Sequence, residues 1–120
     1  MLDHVTVNVS DFQASRRFYA AALEPLGYAV AYEWETGCGL GTGQGNPQMW
    51  IRQEGEPGGP VHFAFVASSQ EAVQAFHEAA LAAGGTDNGP PGIREQYSPT
   101  YYAAFAHDPD GNNVEAVHMG

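Results

Sequence analysis

The chain repeats itself, and this constrains its fold more than any other feature. A forward shift of 58 positions (62 − 4) lays His4 on His62, Ser10 on Ser68, Gln13 on Glu71, Phe18 on Phe76, Leu23 on Leu81 and Gly27 on Gly85, in one ungapped register. A period of this length marks a duplicated supersecondary unit. In 120 residues neither half can bury a core alone. The two units must therefore share one, within the chain or across a dimer.

Each copy opens on a strand pattern. Val5, Val7 and Val9 alternate with His4, Thr6 and Asn8, and Phe63 and Phe65 fall on the opposite face from His62, as period-two side-chain alternation requires. Ser10 with Gln13, and Ser68 with Glu71, read as capping boxes that start a helix. Pro25-Leu26-Gly27 and Gly84-Gly85 end the two helices. Strand-like material follows at 28–34, 39–40 and 48–52, then near Thr86 and at 101–106 and 113–118. Each copy is thus a βαβββ unit, module 1 spanning about residues 1–56 and module 2 about 61–120 of one domain. The expected class is α+β, with a cupped mixed β-sheet and the helices outside it. An irregular stretch over 88–99 sets the second copy apart, and long loops tend to carry function.

Composition narrows the chemistry. The formal net charge is −10, the strong cations are Arg16, Arg17, Arg52 and Arg94, and lysine is absent. Such a surface suits neither nucleic acid nor an anionic membrane. Without lysine there is no Schiff base, pyridoxal phosphate anchor or Walker lysine. The sequence shows neither a long apolar run nor a signal-peptide pattern, so a cytoplasmic protein is expected. A single cysteine, Cys38, cannot form an internal disulfide.

With helices covering one face of each strand set, His4, Thr6, Asn8 and His62 look the other way, into the cavity the two units enclose. In the last strand Glu115 and Val117 share a face opposite Val114, Ala116 and His118. Glu115 then joins the histidines, and two neutral imidazoles with one carboxylate form an open site for a first-row divalent cation: iron, manganese, nickel, zinc or cobalt. Laying Gly45-Asn46 on Gly111-Asn112 puts Met49 in the place of Glu115. His77 is expected to be exposed, and Asp108-Pro109-Asp110-Gly111 reads as a turn rather than a calcium loop.

Paired βαβββ units, Phe18-Tyr19 followed by Leu26-Gly27, and Asp108-Pro109-Asp110-Gly111-Asn112 leading to Glu115 together resemble the vicinal oxygen chelate superfamily. That group includes glyoxalase I, fosfomycin-resistance transferases, bleomycin-resistance proteins and extradiol dioxygenases. The resemblance implies a metal in a cup between two modules, held here by His4, His62 and Glu115, with substrate oxygens chelating it directly. It implies a homodimer and a small oxygenated substrate. Met49 at the expected fourth ligand points away from glyoxalase I. The fosfomycin-type Thr6 lacks its accompanying lysines, and Phe105 replaces the dioxygenase tyrosine. A metal-dependent glyoxalase-like enzyme is therefore expected, with Thr6, Met49, Ile51 and Val117 on the cavity wall. Arg94 and Tyr97, with Tyr101 or Tyr102, would orient the substrate. No residue stands out as general base, although Glu33, Glu35 and Tyr97 are candidates. The competing expectation is a bleomycin-resistance-type protein that sequesters an aromatic ligand without chemistry.

Overall fold

The computed structural model describes residues 2–120 and has the order the repeat demands. Module 1 consists of β1 (Val5–Asn8), α1 (Phe12–Ala22), a short 3-10 turn (Glu24–Leu26), β2 (Ala29–Trp34), β3 (Gly37–Gly41) and β4 (Met49–Arg52). Module 2 repeats it as β5 (His62–Val66), α2 (Gln70–Ala82), β6 (Thr86–Ile93), β7 (Tyr101–His107) and β8 (Asn113–Met119). Each module folds into a four-stranded mixed sheet of matching order, β1-β4-β3-β2 and β5-β8-β7-β6. In each, the first strand runs parallel to the last and the remaining pairs are antiparallel.

The core lies between the sheets and the helices. Phe12, Phe18, Tyr19 and Ala22 from α1, and Val73, Phe76 and Ala80 from α2, are buried at helical spacing. They meet Leu40, Met49 and Ile51 of the first sheet and Ala104, Ala106, Val114 and Ala116 of the second in one cluster. Because α1 also packs on α2, the modules share this core. Gly85 sits at the seam, where an added Cβ would come 2.5 Å from Phe18 Cε1 and 2.8 Å from the Ala80 carbonyl oxygen. Cys38 is buried on this side of β3, and burial pushes its thiol up to about 11, so it stays protonated and unreactive at neutral pH. No helix among the described residues is long and apolar enough to cross a membrane.

Two local expectations shift. Each helix is capped one residue later than expected: Asp11 accepts from the Ala14 amide and Ser69 from the Ala72 amide. Ser10 instead bonds Asp110 in the other module. The first half of the irregular 88–99 stretch belongs to β6, an edge strand whose pairing with β7 shifts register between Asp87 and Gly89 and again before Gly92. Prolines survive in a strand at such edges and bulges, which is why Pro90 and Pro91 hid it.

The Asp108-Pro109-Asp110-Gly111-Asn112 turn joins the modules. The Asp108 carboxylate, 5% exposed, accepts from the Tyr19 hydroxyl of α1, from the Asn112 amide and side chain, and from the Asp110 amide. Burial, and then the adjacent Asp108 charge, holds the Tyr19 phenol well above its ordinary range, so it remains a donor. The acidic residues of this turn serve hydrogen bonding, as its sequence implies.

Candidate functional site

Strand pairing sorts the side chains of module 2 into two faces. Ala64 is opposite Glu115, which is opposite Phe105; Val117 pairs with Val66 on one side and Ala103 on the other, and Met119 with Tyr101. These residues and His62 form the face away from the helices. At its centre the Glu115 carboxylate is 2% exposed. One oxygen lies 2.7 Å from His62 Nε2, and the other accepts from the Tyr101 hydroxyl. Burial, reinforced by the bond to Glu115, raises the Tyr101 phenol to about 12, so it donates at any physiological pH. Phe105 lies beside the His62 ring at 6.1 Å and under the Arg94 guanidinium at 5.2 Å. Arg94 is anchored by the carbonyls of Gly92 and Pro90, and Tyr97 stands edge-on to Tyr101 at 5.0 Å. Arg94, Tyr97 and Phe105 also line a small cavity of about 260 Å³.

Module 1 presents the corresponding face. Thr6 pairs with Trp50 and Asn8 with Arg52, while Gly39 lies across from both Trp50 and Tyr32 and Gly37 from Arg52 and Trp34. His4 precedes β1, is half exposed, and has Nδ1 2.7 Å from Asp3 Oδ1. A proton held on Nδ1 by this carboxylate leaves Nε2 with the free lone pair, the usual orientation of a ligating imidazole. Asp3 was not among the expected site residues, although its position next to His4 was visible.

The register corrects the expected cavity wall. Because Thr6 pairs with Trp50 and Ala64 with Glu115, the counterpart of Glu115 is Trp50, 65 positions earlier (115 − 50). Met49 and Ile51 point to the helices and are fully buried, so they do not line the cup. A one-residue slip sends every side chain of a strand to the other face. Tyr102 is likewise turned to α2, where its hydroxyl accepts from Gln74 Nε2, and Tyr101 occupies the cup. Thr6, Val117, Arg94 and Tyr97 lie on or beside the cup faces. Of the candidate bases, Glu33 is taken up by Arg16 at 2.6 Å, and Glu35 sits in the turn between β2 and β3. His77 is largely buried and pairs with Asp87 at 2.9 Å, rather than lying exposed.

His62 and Glu115 are brought together, and His4 is not. Among the described residues no three metal-ligating side chains converge within the chain. His4 and His62 both line one open groove of about 470 Å³, together with Tyr28, Gln48 and Phe65.

Comparison with known proteins gives a consistent picture. Residues 1–116 match the model of the Glyoxalase/Bleomycin resistance protein/Dioxygenase superfamily. A glyoxalase/bleomycin resistance protein of Albidiferax ferrireducens is 33% identical, with 98% of each chain covered and a TM-score of 0.82. A glyoxalase/bleomycin resistance protein/dioxygenase family enzyme of Burkholderia phytofirmans is 21% identical, covering 99% of this chain and 98% of its own, at a TM-score of 0.74. A mutant glyoxalase I of Zea mays is 21% identical, covering 97% of this chain and 46% of its own, also at 0.74. The last two show the fold alone. No curated protein sequence matches the chain.

Proposed function

Since the chain belongs to the glyoxalase/bleomycin resistance protein/dioxygenase superfamily, we propose that it is a metal-dependent, glyoxalase-like enzyme whose site is built from two copies of the chain. His62 and Glu115 of one copy and His4 of the other would hold the cation. The observation that carries this reading is the pairing of His62 Nε2 with a nearly inaccessible Glu115 carboxylate at 2.7 Å.

The donor set fits a divalent metal. A carboxylate removed from water requires a compensating charge, and among the described residues Glu115 has only His62 as an ion-pair partner. Asp3 orients the His4 ring and Tyr101 orients the Glu115 carboxylate, the outer hydrogen bonds that metal ligands commonly use. The two-copy arrangement is supported by the separation of His4 from the other pair and by the uncovered apolar surface of the cup. Val66 is 79% exposed, Met119 60%, Tyr97 63% and Tyr32 61%, and apolar surface of this kind marks an interaction site.

A bound first-row divalent ion would act as a Lewis acid on adjacent substrate oxygens. The protein's own residues then bind and orient. Thr6 offers a hydroxyl beside His4, Arg94 and Tyr97 flank the His62 and Glu115 pair, and Val117 and Ala103 exclude water from its apolar side. A small oxygenated molecule is the substrate class that this combination serves.

Sequestration without chemistry is the second reading, favoured by the aromatic rings on the module 1 face. Metal content separates the two. Protein purified without added metal, then loaded and desalted, is expected to hold about one divalent ion per chain, and a His4→Ala/Glu115→Ala variant none. Equal and negligible binding in both would remove the enzyme reading.

A further inference from the structure

Arg94 is held more firmly than a surface arginine needs to be. Its backbone amide donates to the Tyr101 carbonyl at 2.8 Å, and its own carbonyl accepts from the Tyr97 amide at 3.0 Å. The side chain folds back on the bulged end of β6. Nη1 donates to the Gly92 carbonyl at 2.8 Å and Nη2 to the Pro90 carbonyl at 2.7 Å, with the Phe105 ring beneath the guanidinium. Two glycines make the room. A Cβ on Gly89 would fall 3.1 Å from Nη2 and 3.0 Å from Phe105 Cδ1, and a Cβ on Gly92 would fall 3.3 Å from Nη1.

This cradle leaves the charge without a partner. A guanidinium carries five N–H donors, and the two carbonyls take up two of them, so three (5 − 2) remain. The chain has 14 acidic residues against 4 arginines, and Arg16 and Arg52 each face a carboxylate. Among the described residues no carboxylate pairs with Arg94, although Glu95 is its neighbour in sequence. The cavity of about 260 Å³ that Arg94 and Phe105 line adds the side-chain amides of Asn88 and Gln96 and the phenol of Tyr97. A purely structural staple explains the bonds to Gly92 and Pro90. It does not explain an unpaired cation lining a polar cavity in so acidic a chain. A guanidinium fixed in this way can grip a carboxylate through paired N–H···O bonds, and its fixed position removes most of the ordering cost of binding.

We propose that Arg94 binds a carboxylate of the ligand, which narrows the substrate class to small oxygenated carboxylic acids in their ionised form. Phe105 lies under the guanidinium and beside the His62 ring. The Arg94 amide is bonded to Tyr101, whose hydroxyl holds Glu115. The carboxylate site is thereby fixed relative to His62 and Glu115. Its place beside a metal rests on the metal-dependent reading above; the binding of a carboxylate by Arg94 does not.

An NMR titration of metal-free protein with succinamate and with its neutral counterpart succinamide tests the assignment. Succinamate is expected to bind about tenfold more tightly, since hydrogen bonds to charged groups exceed neutral ones by a factor of this size. Its binding should shift the Arg94 Nε–H resonance and weaken with added salt, which screens the charge pair. Arg94→Gln should bring succinamate down to the level of succinamide, while Arg17→Gln, at an exposed position on α1, should leave it unchanged. Equal affinity for the two probes, or an Arg94 Nε–H signal that stays in place at saturating succinamate, would overturn the proposal. Both are read on the unaltered chain, so they hold even if Arg94→Gln does not fold. A lower Tm for Arg94→Gln without any preference of the unaltered chain for succinamate would mark Arg94 as a structural staple and equally overturn it. Metal content of the same proteins keeps the two readings apart. A carboxylate preference in protein that takes up no metal removes only the metal centre, and metal uptake without that preference removes only the carboxylate site.

Discussion

Replacing Glu115 with glutamine is expected to weaken divalent-metal binding by more than about 100-fold while leaving the metal-free protein at least as stable. The two effects separate because they have different origins. Glutamine keeps the shape and can still accept from Tyr101, but it removes the charge that a divalent ion requires of its ligand set; outer hydrogen-bond partners alone change affinity by roughly 10- to 100-fold. In the metal-free protein Glu115 is 2% exposed and, among the described residues, has His62 as its one ion-pair partner, and an incompletely compensated buried charge costs stability. Tyr101→Phe should produce the smaller loss, roughly 10- to 100-fold, because it leaves the ligand and removes only its positioning bond. Isothermal titration with Zn²⁺ or Co²⁺, beside thermal melts of the metal-free proteins, measures both. A Glu115→Gln variant that binds as tightly as the parent would show that this carboxylate is not a ligand.

Asp108→Ala should be the most destabilising single change outside the hydrophobic core. The side chain is nearly inaccessible and satisfies the Tyr19 hydroxyl, the Asn112 amide and side chain, and the Asp110 amide at once. Removing it leaves the fully buried Tyr19 hydroxyl and its neighbours without an acceptor, at about 1–3 kcal/mol for each group left unpaired. Partial relaxation brings the expected total to roughly 3 kcal/mol, a fall in Tm on the order of 10 °C. Tyr19→Phe removes one donor and keeps the acceptor, so about 1 kcal/mol is expected. A calorimetric melt of the two variants that gave equal, small losses would show that the turn does not clamp the modules.

Much of this architecture was legible from one ruler, the 58-residue shift (62 − 4). It placed β1 and β5, α1 and α2, and hence the shared core, because the apolar positions of paired units must face the same way. Where the ruler failed, a local effect overrode it. Aligning the last strands through their preceding loops put Met49 on Glu115. Pairing to the first strand puts Trp50 there instead, because loops of unequal length absorb a residue that hydrogen-bonded strands cannot. Pro90 and Pro91 concealed the extension of β6 beyond the short strand expected near Thr86, since prolines count against a strand except at an edge or bulge. The aromatic side chains Tyr32, Trp34 and Trp50 on the module 1 face went unread, although Tyr32-x-Trp34 turns through a tight hairpin into Gly37-x-Gly39. Large rings opposite glycines at period two were their signal. The distance between His4 and the other two candidate ligands is a property of how the modules sit together, which no repeat within a strand encodes.

That distance makes the central claim testable with two inactive proteins. His4→Ala and Glu115→Ala chains should each bind no metal on their own. Unfolded together in equal amounts and refolded, they should recover about a quarter of the wild-type metal content, since half the dimers are mixed and each mixed dimer keeps one intact site of two. A site contained within a single chain gives no recovery in the mixture, and that result would contradict the account.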